Sequence, residues 1–451
     1  MPAASPPSRS PHDPYAALRV PSYRLYALGY FISVLGRTGV SVAVGYELYQ
    51  RTHSATALGL VGLVGALPVI VFALPAGHLA DRKNRKTILM LGQAGMALGS
   101  LLLLAISLFH DAIPASPILK TLSAGIATVA HLFGEKGNAT FDHTVPLIFA
   151  ALSLFSTARA FGWAARGAFV SNLVPRDQLT NAITWNSSLS QMSSLIGPAL
   201  AGFIIAGGGL SAAYFFDLVC AVAFLACLAG VRHTHEAVAH QETDLLSGLR
   251  FVWRSKAILG AITLDLFAVL VGGATALLPM YAEEILHVDA RGLGFLRAAP
   301  SLGALVMGFT LAHLPPMRRA GWVMLWAVVG FGLATIIFGL SKNFALSFIA
   351  LALTGALDNV SVVVRHTLVQ LLTPNSMRGR VSAVNNVFIN SSNELGQLES
   401  GLTAALFGPV GSVVAGGVGV ILVVLLVAWK LPEVRKIGTL HDLEPEEPVQ
   451  S

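Results

Sequence analysis

The chain has 451 residues, 54% of them hydrophobic and only 12% charged. Soluble domains carry roughly 25% charged residues, so this composition argues against a water-soluble enzyme and for an all-α integral membrane protein. The net charge of +6, from 29 Lys and Arg against 23 Asp and Glu, accompanies no basic–aromatic nucleic-acid motif. It is read as loop topology, with no nucleic-acid partner.

In chain order, residues 1–23 are Pro- and Ser-rich and lack the apolar core of a signal peptide, which predicts a disordered cytoplasmic tail. A helix needs about 20 apolar residues to cross the hydrocarbon core. Twelve runs qualify, near 24–49, 56–79, 87–109, 145–167, 181–206, 211–230, 257–282, 292–313, 321–340, 344–366, 380–407 and 410–431. They group as an N-terminal bundle, 24–230, and a C-terminal bundle, 257–431. Between the third and fourth spans lies an external insertion, 110–144. Its amphipathic stretch "ASPILKTLSAGIATVAHLFG" is expected as an interfacial or capping helix. Residues 231–256 are a hydrophilic cytoplasmic linker, and its His233, His235 and His240 lack the closed ligand set of a metal site. Residues 432–451 form a second cytoplasmic tail. Cys220 and Cys227 share one apolar run and are read as packing residues.

Alternate loops carry the Lys and Arg, among them "DRKNRK", "VPRDQLTN", "PPMRRAG" and "TPNSMRGR". By the positive-inside rule these face the cytoplasm, as do both termini.

The two bundles repeat each other. At an offset of 199, Arg166 meets Arg365, Leu173 meets Leu372, Pro175 meets Pro374, Asn186 meets Asn385, Gly197 meets Gly396 and Gly202 meets Gly401. At an offset of 232, Tyr49 meets Tyr281, Gly62 meets Gly294 and Pro68 meets Pro300. The change of register is about the length of the insertion. Two pseudo-symmetric six-helix bundles predict a transporter with its site between them. "GLVGLVG", Gly59 to Gly65, reads as close helix packing, not a phosphate loop, because no strand precedes it.

The turn between the second and third spans, "GHLADRKNRK", resembles the signature of the major facilitator superfamily at Gly77, Leu79, Ala80, Asp81, Arg82, Arg85 and Lys86. The resemblance extends over nearly the whole chain. "LDLFAVLVGGATALLP" and "NELGQLESGLTAALFGP" are similar to the bacterial branch that contains the enterobactin exporter and drug exporters. It implies that the Asp81 turn latches the halves when the external gate is open. Asp81 would sit near the start of the eleventh span, by Arg380 and Ser382, and Arg82, Arg85 and Lys86 would bond helix-end carbonyls or headgroups. Gly77 would let the second and eleventh spans approach closely. The bland alternative is a positive-inside anchor. "GPALAG" resembles the antiporter motif of the fifth span at Gly197, Pro198 and Gly202, with Ala201 in place of a glycine.

Ionisable residues at membrane depth are costly and default to functional hypotheses. The candidates are Arg37, Arg159, Asp265, Asp358, Glu394 and Glu399. The resemblance implies a cavity lined by the first, fourth, seventh and tenth spans, and Arg37, Arg159, Asp265 and Asp358 fall one on each. Arg159 and Asp358 are also 199 apart, with opposite sign. Glu394, Asp358 or Asp265 could trade a proton for substrate; the alternative is a static Arg–carboxylate pair. Asn186, Gln191, Asn390 and Asn393 are possible substrate contacts beside the interface of the halves, or plain packing. No metal or cofactor is expected, and no nucleophile or ATP motif is present.

The sequence therefore predicts a monomeric secondary transporter of the bacterial cytoplasmic membrane, not an enzyme. Its partners would be a small-molecule substrate, protons and membrane lipids, and it would export a small amphipathic drug or siderophore-like compound. A facilitator or lysolipid flippase on the same fold, and a non-transporting scaffold or sensor, are the alternatives.

Overall fold

A computed structural model describes residues 13–135, 141–231, 245–315, 317–374 and 377–439. Among the described residues there is no strand, and ten helices are long and apolar enough to cross a membrane. In the N-terminal half the helices are α1 (Pro21–Thr52), α2 (Ala55–Arg82), α3 (Arg85–Leu108), α4 (Pro117–Leu132), α5 (Val145–Ser171) and α6 (Leu179–Gly230). The C-terminal half contains α7 (Leu245–Arg254), α8 (Lys256–Gly272), α9 (Ala290–His313), α10 (Ala320–Leu340), α11 (Phe344–Leu372), α12 (Arg378–Lys430) and α13 (Pro432–Lys436).

Helices dominate because lipid offers no partner to backbone polar groups. The connections supply the caps that chain reversals require. Ser54 Oγ accepts from Ala57 N at the start of α2, Asn84 from Lys86 N at α3, Asp289 from Arg291 N and Gly292 N at α9, and Asn343 from Leu346 N at α11. The two longest helices, 52 residues in α6 and 53 in α12, are each two helices meeting at a glycine with φ of 76° (Gly209) and 74° (Gly408). Side chains rarely tolerate that left-handed backbone.

Helix α8 ends at Gly272, and short 3₁₀, α and π turns carry the chain to Ile285. The break frees carbonyls, and they are taken. Ser400 Oγ donates to Gly273 O at 2.9 Å, and Arg297 Nη1 to Thr275 O at 3.1 Å.

Three hydrophobic cores organise the molecule. One combines both halves: Val40 to Leu48 of α1, Leu103 and Ile106 of α3, Ile205 and Tyr214 of α6, Leu277 to Ala282, Leu293 to Ala299 of α9, and Val413 of α12. The second holds only C-terminal residues, from Phe251 to Ile437. The third holds only N-terminal residues, from Ala17 to Val231. The halves are therefore fused at one end and separate at the end carrying the Asp81 turn.

Two crossings make the fusion, and both use the glycines that match in the repeat. On α2, a Cβ at Gly62 would lie 2.4 Å from Glu394 O of α12, and at Gly59 it would lie 3.0 Å from Gly401 Cα. On α9, a Cβ at Gly294 would lie 2.6 Å from Pro198 O and 3.0 Å from Gly202 Cα of α6. Gly197 and Gly396 are also equivalent in role: each packs within its own half, the first against Leu35 and Thr38 of α1, the second against Val269 and Leu270 of α8. Close approach of backbones through small residues is how helices associate in lipid.

The termini and linker are more structured than the sequence suggests. Residues 13–23, expected in the tail, include a helical turn at Ala16–Arg19 and the buried Tyr23. They dock because Asn181 accepts from Ala17 N, while Asn181 Nδ2 and Trp185 Nε1 donate to Pro14 O. In the linker, α7 lies on α12, with Gly248 against the Arg380 backbone. The start of the C-terminal tail docks too: Val434 is fully buried, and Gly438 and Ile437 accept from Ala320 N and Gly321 N. The remaining tail residues, 1–12 and 440–451, and the three linker histidines lie outside the described residues. The insertion contains α4 as a helix, held by Ser123 Oγ on Phe141 O at 2.7 Å. Ile118, Leu122 and Leu132 of α4 are exposed.

Candidate functional site

Midway along the interface, Arg159 of α5 donates from Nη2 to Glu394 Oε1 of α12 at 2.8 Å, and to Gly65 O of α2 at 3.3 Å. This ion pair joins the halves, with side-chain exposures of 30% and 20%, so the cleft still reaches it. Gln397 Nε2 lies 3.4 Å from the other Glu394 oxygen. The glycine at position 65 leaves room for this carboxylate, since a Cβ there would lie 2.8 Å from it.

Arg37 of α1 is half-buried. Its charged neighbours are Arg166, Arg159 and Asp217, and among the described residues no carboxylate lies within ion-pairing distance of it. Arg166 donates to Tyr30 Oη at 3.2 Å and stacks 5.0 Å from the Tyr30 ring centroid, a cation–π contact. Asp217, 3% exposed, packs against Gly36 of α1 and accepts from Ser100 Oγ.

Asp265 of α8 and Arg365 of α11 form a second ion pair inside the C-terminal half, 4% and 2% exposed. Arg365 Nε has no hydrogen-bond partner among the described residues. Asp358 lies beside the pair, and Asp265, Asp358, Ala268, Phe331 and Ser361 line one small cavity. Thus Asp358 does not meet its 199-offset counterpart Arg159; each belongs to its own cluster. Glu399 is half-buried on α12, toward the fused end, beside Ser400 and Thr403.

At the fused end, Tyr49 Oη of α1 donates to Glu284. Beneath it, Glu47 is 1% exposed and accepts from Tyr214 at 2.5 Å and Arg51 at 2.6 Å. Arg51 also donates to Thr144 at 2.8 Å, which ties in the end of the insertion. Partial burial acts to raise the pKa of Asp142 in this loop, but hydrogen bonds from Thr144 and the charge of Arg51 outweigh it and hold the carboxyl below its ordinary value. Tyr49→Phe should loosen the fused end by about 0.5–1.5 kcal/mol, the net worth of one hydrogen bond. Spin labels on α1 and α10 would report it as a broadened distance distribution, and an unchanged distribution would count against this role.

The Asp81 turn lies at the separated end. The Asp81 side chain is outside the described residues. Gly77 was expected at a close crossing with the eleventh span; here a Cβ on it would meet nothing within 4 Å. Among the described residues, the glycines of α2 that meet α12 are Gly59, Gly62 and Gly65, toward the fused end. Lys86 Nζ donates to Ala229 O and Val231 O at 3.0 and 2.8 Å, taking the last carbonyls of α6. Arg380 bonds Ser247 of α7 at 3.1 Å. Of the polar candidates, Asn186 receives Tyr23 Oη at 3.3 Å, Asn393 bonds Ile389 O of its own helix, and Gln191 is exposed. The Asn390 side chain lies outside the described residues. In "GPALAG", Ala201 faces Gly39 of α1, where a Cβ would come 3.2 Å from the Ala201 methyl. The small residue missing from the motif stands on the facing helix.

Reasoning from the sequence passed over Arg297, Asp217 and the Glu47 pair, and treated Arg166 and Arg365 only as repeat matches. The signals existed: Asp217 interrupts the apolar "AAYFFDLVCAV", and Glu47 sits four residues before Arg51.

The family model described as Major Facilitator Superfamily matches residues 26–319 and 274–448. The chain belongs to the Major Facilitator Superfamily. It is accordingly a multi-pass membrane transporter and not an enzyme. Similar curated proteins include the enterobactin exporter EntS of Shigella flexneri, 28% identical over 92% of this chain and 93% of that protein. EntS of Citrobacter koseri is 28% identical over the same shares. Among solved structures, a bacterial homologue of the human lysosomal transporter Spinster, in an inward-facing and occupied conformation, matches with a TM-score of 0.67 at 13% identity. The match covers 94% of this chain and 99% of that one. A D-xylose–proton symporter matches with a TM-score of 0.65 at 14% identity, over 94% and 99%. These likenesses concern the fold.

Proposed function

We propose that this transporter is a proton-coupled exporter of a small amphipathic compound, a drug or siderophore-like metabolite, working by alternating access. The observation that carries the reading is the asymmetry of the interface. The halves share one hydrophobic core at one end, each keeps its own at the other, and the Arg159–Glu394 pair lies at the meeting point. A cleft closed at one end and lined by ionisable groups is one state of a rocking carrier. With the Asp81 turn and the Lys/Arg-rich loops in the cytoplasm, this state is inward-facing, and the latch of that turn engages in the opposite state. Twelve crossings with both termini inside follow if the chain reverses at Gly209 and Gly408, since 52 residues of straight helix at 1.5 Å each would far exceed the membrane. Similarity to the enterobactin exporters supports the direction and the substrate class.

Two carboxylate sites, Glu394 and the Asp265–Asp358 couple, are proposed for the proton. Glu394 would release Arg159 when protonated, and Asp265 with Asp358 would do the same to Arg365. Uptake of fluorescent dyes into everted vesicles, ethidium as a cation and carboxyfluorescein as an anion, with and without an imposed pH gradient, tests the reading. Uptake of at least one dye should follow the gradient in the wild type. Glu394→Gln should reduce gradient-driven flux at least tenfold while leaving counterflow; Asp265→Asn should reduce it too, with its flux normalised to the folded fraction because its pair is buried. Coupling that survives both substitutions would remove these residues from the proton path.

A further inference from the structure

The cleft is not electrically balanced. Arg37, Arg159, Arg166 and Arg297 are all half-buried along its wall, drawn from α1, α5 and α9. They form one electrostatic series, because Arg37 feels Arg166 and Arg159, Arg159 pairs with Glu394, and the charge of Glu394 acts on Arg297. Against these four guanidinium groups, among the described residues, Glu394 is the carboxylate paired across the cleft, while Glu399 lies further toward the fused end beside Ser400 and Thr403. Asp217 is spent on Ser100 behind α1, and Asp265 and Asp358 belong with Arg365 inside the other bundle. The remaining partners are neutral: Arg166 has the Tyr30 hydroxyl and ring, and Arg297 the Thr275 carbonyl. Like charges crowded in a poorly solvated wall repel, and an unpaired buried cation is unfavourable. A planar guanidinium is also the donor best matched to a carboxylate, phosphate or phenolate, through two parallel hydrogen bonds.

We infer that the cleft binds an organic anion with at least two acidic groups on an apolar body, held by Arg37 and Arg166 on one wall and Arg297 on the other, and discriminates against cationic drugs. The inference rests on the transport reading and narrows its substrate class. Tyr30 is buried and stacked on Tyr26 with centroids 5.9 Å apart, and it fixes the Arg166 guanidinium that would meet the anion. Arg159, already claimed by Glu394, becomes available when that pair opens, so anion capture and loss of the cross-half pair would compete for one guanidinium.

The test uses the purified full-length chain and reads binding apart from transport. Carboxyfluorescein serves as the soluble anion, lysophosphatidate as an anionic lipid and ethidium as the cation, each titrated by fluorescence anisotropy or displacement. The wild type should bind carboxyfluorescein, and the Arg37→Gln/Arg166→Gln double variant should bind it at least tenfold more weakly. Arg37→Lys, which keeps the charge but loses the fork, should fall between them, and ethidium affinity should not fall in any variant. Thermal unfolding of each variant guards against misfolding, and Arg297→Gln, on the opposite wall, gives an independent reading. Binding of lysophosphatidate alone, lost in the double variant, assigns the same anion site to lipid headgroups. Equal carboxyfluorescein affinity in wild type and variants, or no binding of either anion, overturns the inference. Gradient-driven ethidium efflux without anion binding would sink the anion site and leave the exporter. Arginine-dependent anion binding without flux under any gradient would do the reverse.

Discussion

Arg365→Ala should destabilise the C-terminal half by about 3–5 kcal/mol, the usual consequence of removing one member of a buried ion pair. Arg365 is the largest fully buried side chain among the described residues, and it lies among Val364, Leu368 and Val369 in a core made of C-terminal residues. Its loss leaves Asp265 charged at 4% exposure, with Asp358 as a like-charged neighbour, and opens a cavity as well. Asp265→Asn removes the charge that Arg365 answers and should cost comparably. The double variant Asp265→Leu/Arg365→Met should recover most of the loss, because an apolar pair of similar volume avoids desolvating two ions. The thermal midpoints of the detergent-purified double variant and of its own singles, Asp265→Leu and Arg365→Met, complete a double-mutant cycle that measures this. Additive losses in the double variant would mean the two side chains do not act as a pair. Recovered stability without recovered pH-driven flux would separate the structural part of the pair from its proposed part in proton coupling.

The helices were largely legible in the chain because each has a local signal. An apolar run needs only its own residues to declare a span. The offsets of 199 and 232 picked out Gly62, Gly294, Gly202 and Gly401, and these four form the crossings that fuse the halves. Charges were less legible. The periodicity of an isolated helix says that Asp265 and Arg365 are at membrane depth, but not that α8 and α11 turn them toward each other. Nor could the repeat reveal that Arg159 bonds Glu394 and not Asp358, since symmetry relates positions in the two halves and does not make them neighbours. Gly77 carries a further lesson. A motif can describe a contact of one conformation, and the conformation at hand is the one in which that end of α2 stands apart.

Gly62→Leu should abolish transport while the protein still inserts and folds within each half. A Cβ at Gly62 would already lie 2.4 Å from Glu394 O and 2.6 Å from Gln397 Cβ, both on α12. Backbone cannot yield as a flexible side chain can, so α2 and α12 must part. The cost falls only on the conformation in which they touch, because the N-terminal half packs through other crossings: α1 on α6, and α3 on α5 at Gly92 and Gly95. The equilibrium should therefore move toward the state open at the Glu284 end. A tenfold shift needs only about 1.4 kcal/mol of differential strain. Cysteines introduced at the exposed Gln50 and Lys342, spin-labelled, should show a longer mean distance in Gly62→Leu than in the parent. Gly77→Leu is the informative partner. A Cβ at Gly77 meets no atom within 4 Å in the present state, so the substitution should leave the Gln50–Lys342 distance short. If the Asp81 turn closes on α12 in the opposite state, the new side chain obstructs that closure and holds the molecule as it stands here. Two leucines on one helix, fifteen residues apart, would then arrest the same cycle at opposite ends. If both lengthen the distance, or neither does, α2 is not the element along which the halves rock.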